Sequence, residues 1–256
     1  MKTFILCGGF GTRLDYEGTL IAKPMVRIGK EPILMHIIQN YIEQNINEFV
    51  FCLGHKSNTI NNYFLKENKK KIKIIKKEKE NIKFLYDFNK IKFIGNLIYT
   101  GLNTGTGGRI KKAYQKLNLN EDIMMTYGDG LSNVSIKNLI KFHYENNAKV
   151  TLTAVKPKER YGILKIMNNK ITYFNNENKK ADTYVNGGYF VIDKSCIKKI
   201  NNNNTYWEQD PLNFFSKKKQ LLAFKHEGFW KSLDTLKDKN DFNKLYKSKI
   251  KSPWKI

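Results

Sequence analysis

Cysteine, proline and histidine are all scarce in this sequence, with 3, 5 and 4 residues out of 256. The cysteines form no CxxC pair, and two of them, Cys7 and Cys52, stand in apolar, strand-like runs. Such residues are ordinarily buried, reduced thiols, which indicates a cytoplasmic protein rather than one held together by disulfides. The few histidines accompany no nucleophile, so the sequence offers no nucleophile–base pair for covalent catalysis.

Long apolar runs are also missing. The first apolar stretch covers residues 4–7 and stops at Gly8 and Gly9, well short of the core of a signal peptide. No later run approaches the roughly 18 apolar residues that a membrane-spanning helix needs. The sequence therefore predicts a protein with no membrane partner.

Acidic residues are half as numerous as basic ones, 23 against 46, and the net charge is +23. Such a charge favours polyanions, among them nucleic acids, membrane surfaces and phosphorylated metabolites. Much of it lies in lysine runs such as 69–71 and 217–219, among asparagine-rich segments and without the arginine and aromatic stripe of a nucleic-acid surface. We interpret the charge as a compositional bias and expect no specific nucleic-acid partner. A nucleic-acid-binding protein is the alternative.

Short apolar strands alternate with amphipathic helices along most of the chain, which predicts an α/β fold. We expect a Rossmann-like, mixed and mostly parallel sheet flanked by helices. Residues 68–98 show no clear period and predict irregular or antiparallel excursions. No linker rich in proline, glycine or serine divides the chain, so one domain over 1–256 is expected. The predicted strands are 3–7, 49–53, 123–126, 149–155, 161–167, 170–174, 185–192 and 220–225, and the predicted helices are about 32–45, 57–67, 107–116, 135–147, 194–199, 208–218 and 235–246.

Three glycines follow the first strand, in Gly8-Gly9-Phe10-Gly11-Thr12-Arg13. Without Cβ atoms, their backbone N–H groups can approach an anion closely, as in a phosphate-binding nest. The order of residues matches neither the Rossmann GxGxxG nor a Walker A loop. A plain strand-to-loop turn is the alternative interpretation. Arg13 and, ten residues later, Lys23 favour the phosphate site because two cations can return to the same anion.

The motif GGFGTRL, followed by AKPMVRIGKEPILMHII, resembles the N-terminal signature of the sugar nucleotidyltransferase family. The resemblance continues through TGLNTGTGGRIKKA (100–113), TYGDGLSNV (126–134), VNGGYFVI (185–192) and HEGFWKSLDTLKDKN (226–240), and these segments are most similar to the glucose-1-phosphate cytidylyltransferase branch. It implies transfer of CMP from CTP to a small phosphorylated acceptor, with Mg²⁺ as cofactor and release of pyrophosphate. It also implies a homo-oligomer, with a nucleotide-binding half over about 1–135 and an acceptor-binding half over about 136–256. A nucleotide-binding protein that has lost catalysis is the alternative.

Two aspartates are the candidate Mg²⁺ ligands. Asp129 follows strand 123–126 directly, at the carboxyl end where open α/β sheets bind ligands, and Asp234 precedes the last helix. A turn residue and a helix N-cap are the alternative interpretations of these two side chains. Both fall where the resemblance places metal carboxylates. A phosphate monoester has a second pKa of about 6 and is already an anion at pH 7, so charge neutralisation and positioning replace a protein base.

The resemblance assigns the remaining site residues to three groups. The catalytic residues implied are Arg13, Lys23, Asp129 and Asp234. The nucleotide-binding residues implied are Leu6, Gly8, Gly9, Gly11, Thr12, Arg13, Thr104, Gly105, Gly107, Arg109 and Gly128. The acceptor-binding residues implied are Lys23, Tyr127, Glu177, Lys179, Asn186 and Gly187. Because Gly107 to Arg109 open a helix, their N–H groups and the guanidinium suit recognition of the base or of an anion.

The family motif Glu-Lys-Pro, whose lysine binds the sugar phosphate, is missing before the glycine pair 187–188. The chain has Asn176-Glu177-Asn178 in that place, so an anion replaces the cation unless Lys179 or Lys180 reaches in or the alignment slips. The chain also resembles the CTP:phosphoglutamine cytidylyltransferases of capsular methyl phosphoramidate pathways. We therefore expect L-glutamine phosphate as acceptor, with Glu177 or Glu208 facing its ammonium. Glucose 1-phosphate, which would give CDP-glucose, is the alternative.

Overall fold

A mixed sheet of nine strands forms the centre of the fold, in a computed structural model that describes residues 1–9, 21–157, 163–167, 170–175, 183–248 and 251–255. The strands of these ranges are β1 (Thr3–Cys7), β2 (Arg27–Ile28), β3 (Glu31–Pro32), β4 (Glu48–Leu53), β5 (Ile72–Lys77), β6 (Asn81–Phe88), β7 (Ile91–Tyr99), β8 (Ile123–Tyr127), β9 (Gly130–Ser132), β10 (Val150–Val155), β11 (Ile163–Met167), β12 (Lys170–Asn175), β13 (Val185–Ile192), β14 (Leu221–His226) and β15 (Trp230–Ser232). The α-helices are α1 (Ile33–Ile42), α2 (Ser57–Asn62), α3 (Thr106–Lys116), α4 (Ile136–Glu145), α5 (Asp210–Lys217) and α6 (Leu236–Lys247), with shorter helical turns at Lys23–Met25, Tyr63–Glu67, Lys69–Lys71 and Lys194–Lys199.

The order of the strands in the main sheet is β14-β10-β13-β8-β1-β4-β7-β6-β5. Its centre is parallel, since β1 pairs in parallel with β4 and β8, and β4 pairs in parallel with β7. Strand β13 is antiparallel to both of its neighbours, β8 and β10. The prediction of a mixed, mostly parallel sheet between helices is confirmed. The carboxyl ends of β1, β4, β7 and β8 meet at one edge of the sheet, which is where such sheets bind ligands.

Alternation along the central strands divides the core into two layers. On β1, Ile5 and Cys7 pack with α1, α4 and α6 on one face, while Phe4 and Leu6 pack with α3 and α5 on the other. Successive side chains of a strand point to opposite faces, so a strand covered on both sides is apolar throughout. All five residues of β1 are buried, as this arrangement requires.

Residues 72–99 form three strands in antiparallel succession, which confirms the antiparallel form of the expected excursions. The exposed face and edge of β5 carry lysines, so the sequence shows no clean alternation of apolar and polar residues there. The two-residue strands β2 and β3 and the three-residue strands β9 and β15 were absent from the predicted elements, because they are too short to show a period. None of the helices in the described ranges combines the length and the apolar character needed to cross a bilayer.

An aromatic cluster fills the core between β4, β6, β7 and the turn after α2. Phe51 lies at its centre, with ring centroids 5.3 Å from Phe64, 6.4 Å from Phe49 and 6.5 Å from Phe84, and it is fully buried. Aromatic pairs at these separations stabilise a core beyond the area that they bury. This cluster fixes β4 and therefore the strand ends that surround the site.

We expect Phe51→Ala to lower the free energy of unfolding by about 3–5 kcal/mol, because it leaves a cavity that the neighbouring rings cannot close. Phe88→Ala is the matched control, since Phe88 is 40% exposed and its ring contacts only the Lys71 ammonium among the aromatic and cationic contacts described for it. This variant should lose no more than about 1 kcal/mol. Urea unfolding followed by circular dichroism measures both values, and equal losses would contradict the assignment of the core.

Candidate active site

Lys23 lies between two aspartates that are far apart in the sequence. Its Nζ atom donates to Asp129 Oδ2 at 2.7 Å and to Asp234 Oδ1 at 2.9 Å. The three side chains are only partly exposed, at 16%, 30% and 22% respectively. Two carboxylates and a predicted phosphate-binding cation thus converge at the carboxyl ends of β1 and β8.

The placement of Asp129 depends on the glycine before it. Gly128 donates its N–H to the carbonyl of Leu6 at 3.1 Å, which continues the pairing of β1 and β8 past the strand end. A Cβ atom on Gly128 would lie 2.6 Å from Pro24 Cγ. Gly128 therefore leaves room for the turn Lys23–Met25, and this contact brings Lys23 and Asp129 together.

A short two-stranded ribbon carries Asp234 to the same place. Strand β9, which begins directly after Asp129, pairs with β15 so that Ser232 lies opposite Gly130. The N–H of Leu233 then donates to the carbonyl of Asp129 at 2.8 Å. Ser232 Oγ donates to Asp234 Oδ2 at 2.6 Å, which orients the carboxylate. The ribbon brings the last segment of the chain back to the sheet edge.

The N-cap alternative for Asp234 does not describe this structure. Thr235 is the N-cap of α6, and its hydroxyl accepts from the N–H of Asp238 while Asp238 accepts from the N–H of Thr235 in a capping box. A capping box satisfies the N–H groups of a helix start without help from the preceding residue. Asp234 lies one residue before this cap and contacts Lys23 instead.

The electrostatics of this pair of carboxylates favour a cation. Burial lowers the pKa of Lys23, but Asp129 and Asp234 raise it by more, and the net pKa lies above the ordinary value. A position where two carboxylates hold an ammonium also suits a divalent cation. Within the described ranges, no group of three or more His, Cys, Asp or Glu side chains converges as a metal site. Two carboxylates completed by substrate phosphates are the arrangement that Mg²⁺ commonly uses.

The glycine turn begins beside this pair. Leu6 is buried near the end of β1 and its side chain packs in the core, while the carbonyl of Gly8 accepts from the N–H of His55 at 3.4 Å. Gly9 is exposed, and a Cβ atom on it would meet no atom within 4 Å. The rest of the predicted phosphate loop, including Gly11, Thr12 and Arg13, lies outside the described residues.

Arg109 lies inside the chain in this structure. It was expected to recognise the base or an anion, but it is only 4% exposed, and its guanidinium donates to carbonyl groups at three strand ends. The acceptors are the carbonyls of Gly8 at 3.0 Å, Leu53 at 3.1 Å, Gly101 at 2.7 Å and Leu102 at 3.0 Å, with Thr100 Oγ1 at 2.9 Å. A guanidinium has five N–H donors, so these bonds leave it little capacity for a ligand. Arg109 ties together the ends of β1, β4 and β7.

The glycines at the start of α3 also have a different partner from the one expected. The N–H of Gly105 donates to the carbonyl of Asn203 at 2.8 Å, and the N–H of Gly108 donates to the carbonyl of Thr205 at 3.1 Å. A Cβ atom on Gly105 would collide with the Thr205 carbonyl oxygen, and one on Gly107 would lie 3.0 Å from the same oxygen. This helix start therefore binds the segment 201–209 of the same chain, and two of its N–H groups are not available to a nucleotide.

Thr104, another predicted nucleotide-binding residue, also has partners within the chain. Its hydroxyl donates to the carbonyl of Thr100 at 2.8 Å and accepts from Lys112 at 3.5 Å. These two hydrogen bonds brace the loop between β7 and α3, so the Thr104 hydroxyl is used within the chain.

The predicted acceptor side has a polar wall next to Asp129. Tyr127 donates its hydroxyl to Glu208 Oε1 at 2.6 Å and accepts from Asn186 Nδ2 at 3.2 Å. Gly187 lies in β13, where its carbonyl accepts from Trp230 Nε1 at 2.7 Å. Burial and the adjacent carboxylate of Glu208 raise the pKa of Tyr127, so the phenol is neutral. Two other residues predicted to bind the acceptor substrate, Glu177 and Lys179, lie outside the described residues.

Two partners of this site were not singled out from the sequence. Thr106 donates to Glu208, and Ser232 orients Asp234. Each acts through a neighbour and not through a motif of its own. The only signal in the sequence was their position inside the segments 100–113 and 226–240 that carry the family resemblance.

A model of the nucleotidyl transferase family matches residues 2–248 of the chain. The glucose-1-phosphate cytidylyltransferase of Salmonella typhi is 38% identical over 255 residues, which cover 100% of this chain and 99% of that protein. A Bacillus subtilis protein named "Probable glucose-1-phosphate cytidylyltransferase" is 33% identical over 258 residues, with 100% of both chains covered.

A solved structure with the same fold is that of HddC from Yersinia pseudotuberculosis in complex with GMP-PN. The TM-score is 0.68 and the identity is 21%, with 96% of this chain and 99% of that chain covered. This similarity concerns the fold, and it agrees with the sheet and helices described above.

We expect Lys23→Met to lower the free energy of unfolding by about 1–3 kcal/mol, because it removes the ammonium that lies between two carboxylates. Millimolar Mg²⁺ should then raise the melting temperature of the variant more than that of the wild type, since the ion can take the place of the ammonium. Lys149→Met is the matched control, because Lys149 pairs at 2.9 Å with a single carboxylate, that of Asp193. Equal shifts with Mg²⁺ in all three proteins would contradict a cation site at Asp129 and Asp234.

Proposed function

The chain belongs to the nucleotidyl transferase family, and from this we propose that it transfers CMP from CTP to a small phosphorylated acceptor and releases pyrophosphate. The observation that carries the proposal is the convergence of Asp129 and Asp234 on the ammonium of Lys23. The choice of CTP is supported by the names of the full-length relatives from Salmonella typhi and Bacillus subtilis.

The proposed reaction needs no protein base. An oxygen of the acceptor phosphate, already an anion at pH 7, attacks the α-phosphorus of CTP. The new P–O bond forms as the bond between the α-phosphorus and the α–β bridging oxygen breaks, and pyrophosphate leaves with the electron pair. The barrier is the repulsion between two anions, and fixed positive charge at the site lowers it.

Each described residue has a role in this proposal. Asp129 and Asp234 would hold Mg²⁺, which when bound polarises the α-phosphate and neutralises charge on the leaving group. Lys23 would neutralise the acceptor and α-phosphates. Gly8 and Gly9 would present backbone N–H groups to the triphosphate, together with Gly11, Thr12 and Arg13 of the undescribed part of the loop. Gly128 keeps the site open beside the Lys23–Met25 turn.

Two acceptors are candidates, and different observations support them. Glucose 1-phosphate is supported by the activity that the names of the full-length relatives state. L-Glutamine phosphate is favoured by one feature of the sequence, the replacement of the expected phosphate-binding lysine by Glu177. The described polar wall of Tyr127, Asn186 and Glu208 offers hydrogen-bonding groups that fit sugar hydroxyls or an ammonium.

We expect pyrophosphate release when the protein is given CTP, Mg²⁺ and one of these two acceptors, measured with a coupled pyrophosphate assay. Each acceptor is offered alone and then as a competitor of the other, and UTP, GTP and ATP replace CTP in parallel. Turnover with glucose 1-phosphate alone assigns the sugar, and turnover with L-glutamine phosphate alone assigns the amino acid.

Asp129→Asn and Asp234→Asn serve as the paired variants for this assay. Each should lower the rate of pyrophosphate release by at least roughly a hundredfold, because each removes a charge that acts on the transition state. Asp193→Asn is the control, because this carboxylate pairs with Lys149 and lies away from the carboxyl ends of β1 and β8. Absence of pyrophosphate with either acceptor and every nucleotide would refute the proposed function.

A further inference from the structure

A network of side-chain hydrogen bonds runs through the polar wall of Tyr127, Asn186 and Glu208. Thr106 Oγ1 donates to one carboxylate oxygen of Glu208, and the Tyr127 hydroxyl donates to the other at 2.6 Å. Tyr127 accepts from Asn186 Nδ2 at 3.2 Å, and Asn186 Oδ1 accepts from the N–H of Gly188 at 2.8 Å. The network links the start of α3 to the end of β8 and the start of β13, and Glu208 supplies its carboxyl group.

Glu208 is held in place by the segment that precedes it. The segment before it is bonded to the glycines that start α3, and the N–H of Trp207 donates to Thr106 Oγ1 at 2.8 Å. The indole of Trp207 is fully buried, with ring centroids 6.5 Å from Phe190 and 6.4 Å from Phe215. A carboxylate fixed in this way presents its oxygens in a defined position, so it can orient the hydroxyls that donate to it.

The direction of each hydrogen bond in this network follows from the chemistry of its donor and acceptor groups. A carboxylate can only accept, so the phenol of Tyr127 must donate to Glu208 and keep its lone pairs for another donor. Only the amide nitrogen of Asn186 can supply that donor, and the N–H of Gly188 independently requires the amide oxygen on the other side. Glu208 thus specifies the orientation of the Tyr127 hydroxyl and, through it, that of the Asn186 amide.

We infer that Glu208 is a positioning residue for the acceptor and acts through Tyr127 and Asn186. The inference rests on the proposed function for the identity of the substrate, but the network itself does not. Each carboxylate oxygen of Glu208 accepts a hydroxyl of the network, so Glu208 orders the Tyr127 and Asn186 side chains of the wall that faces the acceptor. Its loss disorders the acceptor side and leaves the metal carboxylates and the glycine turn intact.

The first test compares the KM for the acceptor with the KM for CTP. In Glu208→Gln the amide keeps one acceptor oxygen and loses the charge, so one of the two hydroxyls loses its partner. We expect the KM for the acceptor, whichever of glucose 1-phosphate and L-glutamine phosphate the wild type uses, to rise roughly 5- to 30-fold. The KM for CTP should stay within about twofold.

Tyr127→Phe and the double variant extend this test. Tyr127→Phe should raise the acceptor KM in the same way, and the double variant with Glu208→Gln should add little to the larger single effect, because both changes break one network. Glu121→Gln is the matched control, since it neutralises a partly exposed carboxylate that pairs with Lys2 at 2.7 Å at the other end of the strands. A rise in the CTP KM equal to that of the acceptor, or no rise in either, would overturn the inference.

Hydrogen exchange tests the network without any turnover. Glu208→Gln should speed exchange of the Gly188 amide, which donates to Asn186, roughly fivefold or more, while the amides of β1 keep their wild-type rates. Should the wild type release no pyrophosphate with either acceptor, the proposed function fails and this measurement still decides the network. Unchanged exchange at Gly188 would overturn it.

Discussion

The interaction on which the site depends is the pairing of one ammonium with two carboxylates that the fold brings together. Lys23 follows the glycine-turn region, Asp129 follows β8, and Asp234 follows the ribbon strand β15. Two carboxylates that contact the same ammonium would repel one another without it, and the cation between them makes their approach favourable. The packing of Pro24 on Gly128 and the pairing of β9 with β15 position these groups before any ligand binds. The site is therefore built by the fold, and the proposed chemistry uses a charge arrangement that is already present.

The glycine-rich segment at the start of α3 makes contacts with other segments of the same chain. The glycines at the start of α3 admit the carbonyls of residues 203–205, and this contact places Glu208 behind Tyr127. Arg109, three residues into the helix, ties the ends of three parallel strands at the same edge. Both features were interpreted from the sequence as direct nucleotide contacts. In the structure they support the residues that line the site.

The sequence predicted the elements that show a periodic pattern of apolar residues. It did not predict contacts between residues that are far apart in the sequence. Strand β1 was predicted with its observed limits, and the alternation of strands and helices gave the mostly parallel sheet. The partners of Arg109 and the ribbon that carries Asp234 could not be predicted, because a buried guanidinium and a three-residue strand leave no periodic pattern. Asp129 and Asp234 were named from their place in family motifs, and only the folded chain shows that both contact Lys23. The proposed N-cap role of Asp234 was excluded by the capping box one residue later.

The most direct measurement of the central claim is the binding of Mn²⁺, followed by electron paramagnetic resonance, in the presence of a CTP analogue with a methylene group between the α- and β-phosphates. The account predicts that the wild type binds the ion together with the analogue and that Asp129→Asn and Asp234→Asn each weaken this binding roughly tenfold or more. Asp193→Asn should bind the ion as the wild type does. Unchanged Mn²⁺ affinity in both site variants would contradict the assignment of these carboxylates to the metal.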